Sequence, residues 1–252
     1  MDDQHSPHLT APPWVVGTAR PEALAGLVAL PVHNRVPDLI EARLDLAPSP
    51  DGVQPPDLAP LLGLCQRLEA THSAVLATIR LVPDGGKWTQ DAERLPWFAE
   101  AARVVSWLDI EAESQIAGEV VAASHAAGHH VVISHHDFSG TPRDGRLEAI
   151  VDRAFALDAD VVKLATMVNS LDDHRYLVEL VHRLRHPDRP VAVVAMGALG
   201  TPLRAYLPCI GSRFTYGFLD EGVAPGQLSA RELVARLTAD CPAYAELRRQ
   251  RG

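Results

Sequence analysis

The run Val161-Val-Lys-Leu-Ala165 sets a lysine among apolar residues, and Lys87 is the only other lysine in the 252-residue chain. Every other cationic side chain apart from histidine is arginine. Arginine keeps its proton near neutral pH, whereas a buried lysine can release it. Lys87 follows Gly85-Gly86 and is expected to be a loop charge. Lys163 is expected to be desolvated, with its pKa below the usual value of about 10.4. A neutral amine in a cleft attacks ketones and aldehydes to form an imine, which when protonated acidifies the neighbouring C–H bond. Such chemistry needs a proton carrier. His136 in Ile133-Ser-His-His-Asp-Phe138 suits that role, because imidazole titrates near 6.5. Strand geometry puts His135 and His136 on opposite faces, so only one of them faces inward. The plainer alternatives are a snorkelling or ion-paired lysine and a structural histidine.

Further charges fall at every second position. Glu41, Arg43 and Asp45 alternate with Ile40, Ala42 and Leu44; Asp109 and Glu111 alternate with Leu108 and Ile110; Arg80 follows Ile79. Period-two geometry places each set on one face of its strand. An unpaired buried ion costs several kcal/mol, so so many inward charges point to a working site. Arg43, Arg80 and Arg204 are candidates to hold an anionic or polyhydroxylated ligand. The loop 221–227 carries Gly and Pro and suggests a shaped, closing lid.

These positions require a scaffold of alternating strands and helices. Strands are expected at Trp14–Thr18, Leu39–Asp45, Ala74–Arg80, Val104–Glu111, His129–Phe138, Val161–Thr166, Val191–Gly197 and Cys209–Phe218. Amphipathic stretches lie between them, at Leu58–Ala70, Asp91–Ala102, Ser114–Ala127, Leu147–Leu157 and Asp172–Arg185. Ser229-Ala-Arg-Glu232 is a capping box that opens the last long helix. Eight such repeats imply a parallel (β/α)8 barrel, a TIM barrel, with its charged ends at the C-terminal mouth. A doubly wound open sheet is the alternative, but no Gly-rich phosphate turn follows the first strand. The Pro-rich stretch Pro48–Pro60 is expected to be a loop. The first thirteen residues are expected to form a tail ahead of a single domain over 14–252.

The formal charge of −9 argues against nucleic acid or an anionic membrane as the main partner. No apolar run reaches the length of about 20 residues that spans a bilayer. Cys65, Cys209 and Cys241 have no metal-ligand spacing, and the histidines lack a HExxH pattern. A reduced cytoplasmic protein without a metal is expected.

The motifs, taken in order, resemble type I 3-dehydroquinate dehydratase, a Schiff-base enzyme of the shikimate pathway, over almost the whole chain. They are Glu41-Ala-Arg43, Thr78-Ile-Arg80, Asp84-Gly-Gly86, Asp109-Ile-Glu111, Ser134-His-His-Asp-Phe138, Thr141-Pro142, Val162-Lys163, Met196-Gly197, Arg204 and Pro225-Gly-Gln227. The resemblance implies that Lys163 forms an imine with 3-dehydroquinate and that His136 moves the protons, with no cofactor or metal. It implies that Glu41, Arg43 and Gln227 hold ring hydroxyls, that Arg204 holds the carboxylate, and that Met196 and Tyr216 pack against the ring. Arg80 would stand near substrate and lid, with Asp84, Asp109 and Glu111 in support, in a protein that is often a homodimer. Three positions depart from the family: Asp84 stands for a common glutamate, Val223 for a substrate-binding serine, and Leu203 for a frequent serine. The rival readings are a class I aldolase-type barrel and a non-catalytic barrel that binds a small carboxylate.

Overall fold

The structure is a computed structural model that describes residues 11–34, 36–49, 55–220 and 226–251. The proposed tail up to residue 10, part of the Pro48–Pro60 loop and the lid residues 221–225, including Val223, lie outside the described residues. Eight strands alternate with helices: β1 (Trp14–Ala19), α1 (Pro21–Ala29), β2 (Leu39–Arg43), α2 (Ala59–Glu69), β3 (Val75–Thr78), α3 (Asp91–Ala101), β4 (Trp107–Glu111) and α4 (Ala117–Ala126). The second half runs β5 (His130–Asp137), α5 (Arg146–Ala156), β6 (Val161–Met167), α6 (Leu171–Leu184), β7 (Val191–Met196), α7 (Leu203–Ile210), β8 (Phe214–Phe218), α8 (Ala230–Asp240) and α9 (Pro242–Arg251). All paired strands are parallel, in the order β7-β6-β5-β4-β3-β2-β1-β8.

The remaining seam, between β7 and β8, is closed by fewer bonds. Arg213 N–H donates to the Val191 carbonyl at 2.8 Å. The Ser212 hydroxyl accepts the Val193 N–H at 2.8 Å, so a side chain takes the place of a ladder carbonyl. Eight strands thus form a nearly closed barrel with helices outside, which is the expected (β/α)8 fold.

Several boundaries differ from the sequence reading. Cys209 and Ile210 end α7, and β8 starts only at Phe214, because Leu203 and Leu207 at helical spacing bury against the barrel. Gly211, at φ 128°, ends that helix. Asp45 leaves β2 and sits in a 3-10 turn, Leu44–Leu46, so it is not part of the inward alternation. Val104 and Val105 belong to the turn that closes α3. The Ser229 capping box is present as read.

Alternation fills the barrel in layers, as a closed eight-stranded sheet requires. Leu39, Trp107, Val161 and Phe214 come from the even strands and seal the N-terminal end. Val16, Leu76, Val132 and Ala192 from the odd strands lie above them. Two residues further along the even strands stand Glu41, Asp109, Lys163 and Tyr216. Thr18, Thr78, Ser134 and Val194 follow on the odd strands. The barrel interior therefore changes from hydrocarbon to a polar floor within one layer. Outward-facing Ile40, Ala77, Leu108, Ile133 and Leu164 meet the helices in a separate apolar shell.

One brace crosses that shell. Arg94 on α3 is fully buried and donates to both Glu111 carboxylate oxygens, at 2.7 and 3.0 Å, and to the Ile79 carbonyl at 2.5 Å. It also contacts Asp91. Glu111 accepts the Leu81 N–H at 2.9 Å, so the brace fixes the chain where it leaves β3. Replacing Arg94 with Ala leaves the buried Glu111 carboxylate with only the longer Arg80 contact, at 3.8 Å. The expected loss is about 3–5 kcal/mol, read as a lower midpoint in denaturant unfolding at unchanged slope.

Candidate active site

Lys163, on β6, is 5% exposed and rises from the polar floor into a pocket at the C-terminal mouth. Its Nζ lies 3.8 Å from Asp109 Oδ2 and 4.0 Å from the centroid of the Tyr216 ring. Burial lowers its pKa from the ordinary lysine value. The carboxylates of Glu41 and Asp109 oppose the shift, and the Arg80 and Arg43 charges reinforce it. The amine is biased towards the neutral, nucleophilic form.

Strand β5 supplies the imidazole. Its register pairs Ser134 with Lys163 and His136 with Ala165, so His136 stands one inward step above the lysine on the next strand. The other histidine, His135, turns away to Glu113 at 3.1 Å, as alternation requires. Burial, together with the charges of Arg80, Lys163 and Arg43, holds His136 well below 6.5. Its Nδ1 lies 3.3 Å from Asp84 Oδ1, so the shorter arm of this aspartate does reach the ring. Burial pushes the Asp84 carboxyl up to about 6. Phe138 stacks over the far side of His136 at 6.1 Å between centroids and 14° between planes.

The turn that delivers Asp84 explains the two glycines after it. Gly85 has φ 82°, and a Cβ there would lie 2.9 Å from the Phe138 ring. A Cβ at Gly86 would fall 2.0 Å from the Arg80 carbonyl oxygen, so that approach admits no side chain. Arg43 secures the turn by donating to the Gly85 carbonyl at 3.2 Å. Asp45 in turn grips Arg43 in a bidentate fork at 2.8 and 2.7 Å.

The remaining charges are divided between pocket and scaffold. Glu41 lines the pocket while accepting from the Thr18 hydroxyl at 2.7 Å and the Thr78 hydroxyl at 3.1 Å. Arg80 donates to Ser134 Oγ at 2.7 Å and pairs with Asp109 at 3.0 Å. Ser134 Oγ also donates to Asp109 Oδ1, at 2.6 Å. Burial would raise the Asp109 carboxyl, but the Arg80 and Lys163 charges and these hydrogen bonds hold it below the usual range. Arg204, at the start of α7, is buried and donates to the Tyr216 carbonyl at 3.3 Å. Burial pulls its pKa down to about 10, which leaves it cationic at neutral pH.

The structure brings ten of the twelve residues singled out in the sequence to this one pocket: Glu41, Arg43, Arg80, Asp84, His136, Lys163, Met196, Arg204, Tyr216 and Gln227. Asp109 and Glu111 are not in its lining. Asp109 lies beneath the lysine, and Glu111 is held by Arg94. The sequence reading assigned no role to Thr18, Thr78 or Ser134, although each falls in phase with the inward positions of its strand. It also missed Arg94, whose signal is a cation in line with Phe98 and Ala101 on the buried face of α3. Among the described residues, no group of three or more His, Cys, Asp or Glu side chains is placed to hold a metal ion. No helix among them is long and apolar enough to cross a membrane.

Comparison with known proteins agrees with this arrangement. Residues 15–240 match the family model described as Type I 3-dehydroquinase. A 3-dehydroquinate dehydratase of Methanothrix thermoacetophila is 32% identical over 207 residues, covering 82% of this chain and 83% of its own. The 3-dehydroquinate dehydratase of Thermococcus gammatolerans is 35% identical over 198 residues, covering 78% and 84%. The crystal structure of 3-dehydroquinate dehydratase from Geobacillus kaustophilus superimposes with a TM-score of 0.77 at 25% identity, covering 90% of this chain and 92% of that one. On the family match and these relatives together, the chain belongs to the type I 3-dehydroquinase family.

Proposed function

We propose that this enzyme dehydrates 3-dehydroquinate to 3-dehydroshikimate, a step of the shikimate pathway, through an imine on Lys163. The observation that carries the reading is a buried amine, biased towards its neutral form, in the same pocket as a neutral imidazole. The lone pair of Nζ attacks the ring ketone. The carbonyl oxygen leaves as water, and the protonated imine draws electrons from C2. The imidazole of His136 takes the C2 proton and then returns it to the departing C1 hydroxyl, which leaves as a second water. One water is consumed when the imine is hydrolysed, so the net change is loss of one water. No cofactor takes part on this reading, and the working form is a cytoplasmic homodimer.

Electrostatics favour this division of labour. Above about pH 6 the Asp84 carboxylate accepts the Nδ1–H of His136, which leaves Nε2 unprotonated as the base. The Arg204 guanidinium suits the substrate carboxylate, because it is a buried cation at the pocket wall. Asp45 and the Gly85 carbonyl occupy Nε and Nη2 of Arg43, so its Nη1 is the group left for a ring hydroxyl. Glu41 and Gln227 are the other partners for ring hydroxyls. Met196 closes the apolar side.

Borohydride reduction in the presence of 3-dehydroquinate, followed by peptide mass spectrometry, tests the reading directly. We expect a reduced adduct on Lys163 and none in Lys163→Ala, which loses turnover but keeps its unfolding midpoint. Trapping only with phosphorylated sugars would indicate an aldolase, and no trapping at all a binding protein. His136→Ala should still form the adduct while kcat falls by about 10²–10⁴-fold. Unchanged kcat in that variant would remove His136 from the mechanism.

A pH profile separates Asp84 from His136. Protonation of the carboxyl lets it donate to Nδ1 and puts the ring proton on Nε2, which abolishes the base. The acid limb of kcat/KM should therefore lie near the Asp84 value of about 6, and move to lower pH in Asp84→Asn, because His136 itself titrates well below 6.5. Stability should change with the opposite sense. The folded carboxyl keeps its proton up to about 6 while the unfolded one releases it near 3.8, so stability contributed by this group falls as pH rises across that window. Asp84→Asn should remove that slope in denaturant titrations.

A further inference from the structure

The family resemblance places Tyr216 against the substrate ring, but in the structure the face of its ring also meets the reacting nitrogen. We propose that the ring face of Tyr216 is the electrostatic floor of that nitrogen, holding the imine that Lys163 forms in its cationic state. This inference rests on the imine reading given above.

Three observations carry it. The Lys163 Nζ stands 4.0 Å from the ring centroid, well inside the range of about 6 Å over which a ring quadrupole attracts a cation. Tyr216 is buried at the same level of the barrel as the lysine, contributed by the next even strand, so the contact is largely withdrawn from bulk solvent. Its hydroxyl has no hydrogen-bond partner among the described residues, and the π face is the part of the side chain that meets the lysine.

The choice of a ring over a carboxylate has a chemical consequence. Asp109 Oδ2 is 3.8 Å from Nζ, beyond hydrogen-bond reach, and is itself without a hydrogen-bond partner. A carboxylate in direct contact would fix a proton on the amine and direct the N–H bonds downwards. A ring face attracts positive charge without accepting a directed hydrogen bond from it. The nitrogen lone pair stays available to the ketone above, and once the imine forms the same ring favours its protonated state. Only that protonated state withdraws electrons strongly enough to release the C2 proton. A structural reading, in which Tyr216 merely fills the barrel, predicts that any side chain of similar shape serves equally well.

The test is to weaken the quadrupole while keeping the shape. The charged and titratable groups around the lysine are Glu41 and Arg43 on β2, Arg80 just past the end of β3, Asp84 on the turn after it, Asp109 on β4, His136 on β5 and Arg204 on α7. All of them remain in place when position 216 carries Phe, then fluorophenylalanine, then trifluorophenylalanine. The alkaline limb of kcat and the alkaline limb of borohydride trapping both report loss of the imine proton. Tyr216→Phe should keep the wild-type limb. Successive fluorination should move it to lower pH, by about one unit over the series, which is about tenfold in turnover on that limb. Tyr216→Leu should fall with the most fluorinated variant. An unmoved limb in a series that still traps on Lys163 overturns this inference alone. Failure of the unmodified protein to trap overturns the imine reading and this inference with it.

Discussion

A lysine amine buried between two carboxylates and two guanidiniums is the constraint around which the barrel interior is organised. Burying an ammonium without compensation costs several kcal/mol, and compensating it fully would leave a permanent cation that attacks nothing. The structure sits between these limits. Asp109 balances the charge from 3.8 Å but is itself committed to Arg80 and Ser134. Glu41 is committed to the Thr18 and Thr78 hydroxyls. Both carboxylates therefore act on the lysine through space and not through a hydrogen bond, so they oppose the lowering of its pKa by burial without cancelling it.

The fold supplies this arrangement through simple periodicity. In a closed parallel sheet each strand offers the interior one residue in two, and even and odd strands offer them at alternating heights. Hydrocarbon fills the lower heights and hydrogen-bonding groups the upper ones, so a change of residue type at two consecutive inward positions converts packed core into reactive site. The outer face of the same strands is mostly apolar and holds the helices. Stability and chemistry are thereby assigned to opposite faces of one strand, and Arg94 is the exception that links them, reaching through from α3 to Glu111.

Much of this was legible in the sequence because both codes are local. Strand–helix alternation gave the barrel, and charges at every second position gave the inward face and the mouth. Features that depend on chain reversal were not legible. Asp45 looked like one more inward charge, yet β2 ends at Arg43 and the 3-10 turn swings Asp45 round to grip Arg43 from outside the ladder. The expected start of β8 is too early, since the apolar end of α7 and β8 are separated only by the short run Gly211-Ser212-Arg213. Small hydroxyl residues were overlooked for a different reason. A threonine in a strand is unremarkable by type, and only the carboxylate of a neighbouring strand makes Thr18 or Thr78 part of the site.

Asp84 shows how backbone conformation can substitute for side-chain length. An aspartate in place of the glutamate that the family resemblance leads one to expect has one methylene less with which to reach the imidazole, yet the contact to His136 Nδ1 is made at 3.3 Å. The reach comes from the turn. The left-handed conformation of Gly85 and the bare Cα of Gly86, pressed on the Arg80 carbonyl, fold the segment down towards the ring. The guanidinium of Arg43 holds the Gly85 carbonyl in that position. A chain that relies on backbone for this distance has tied its acid–base pair to the same arginine that faces the pocket. Arg43 and the turn that aligns Asp84 with His136 thus meet at a single carbonyl group, that of Gly85.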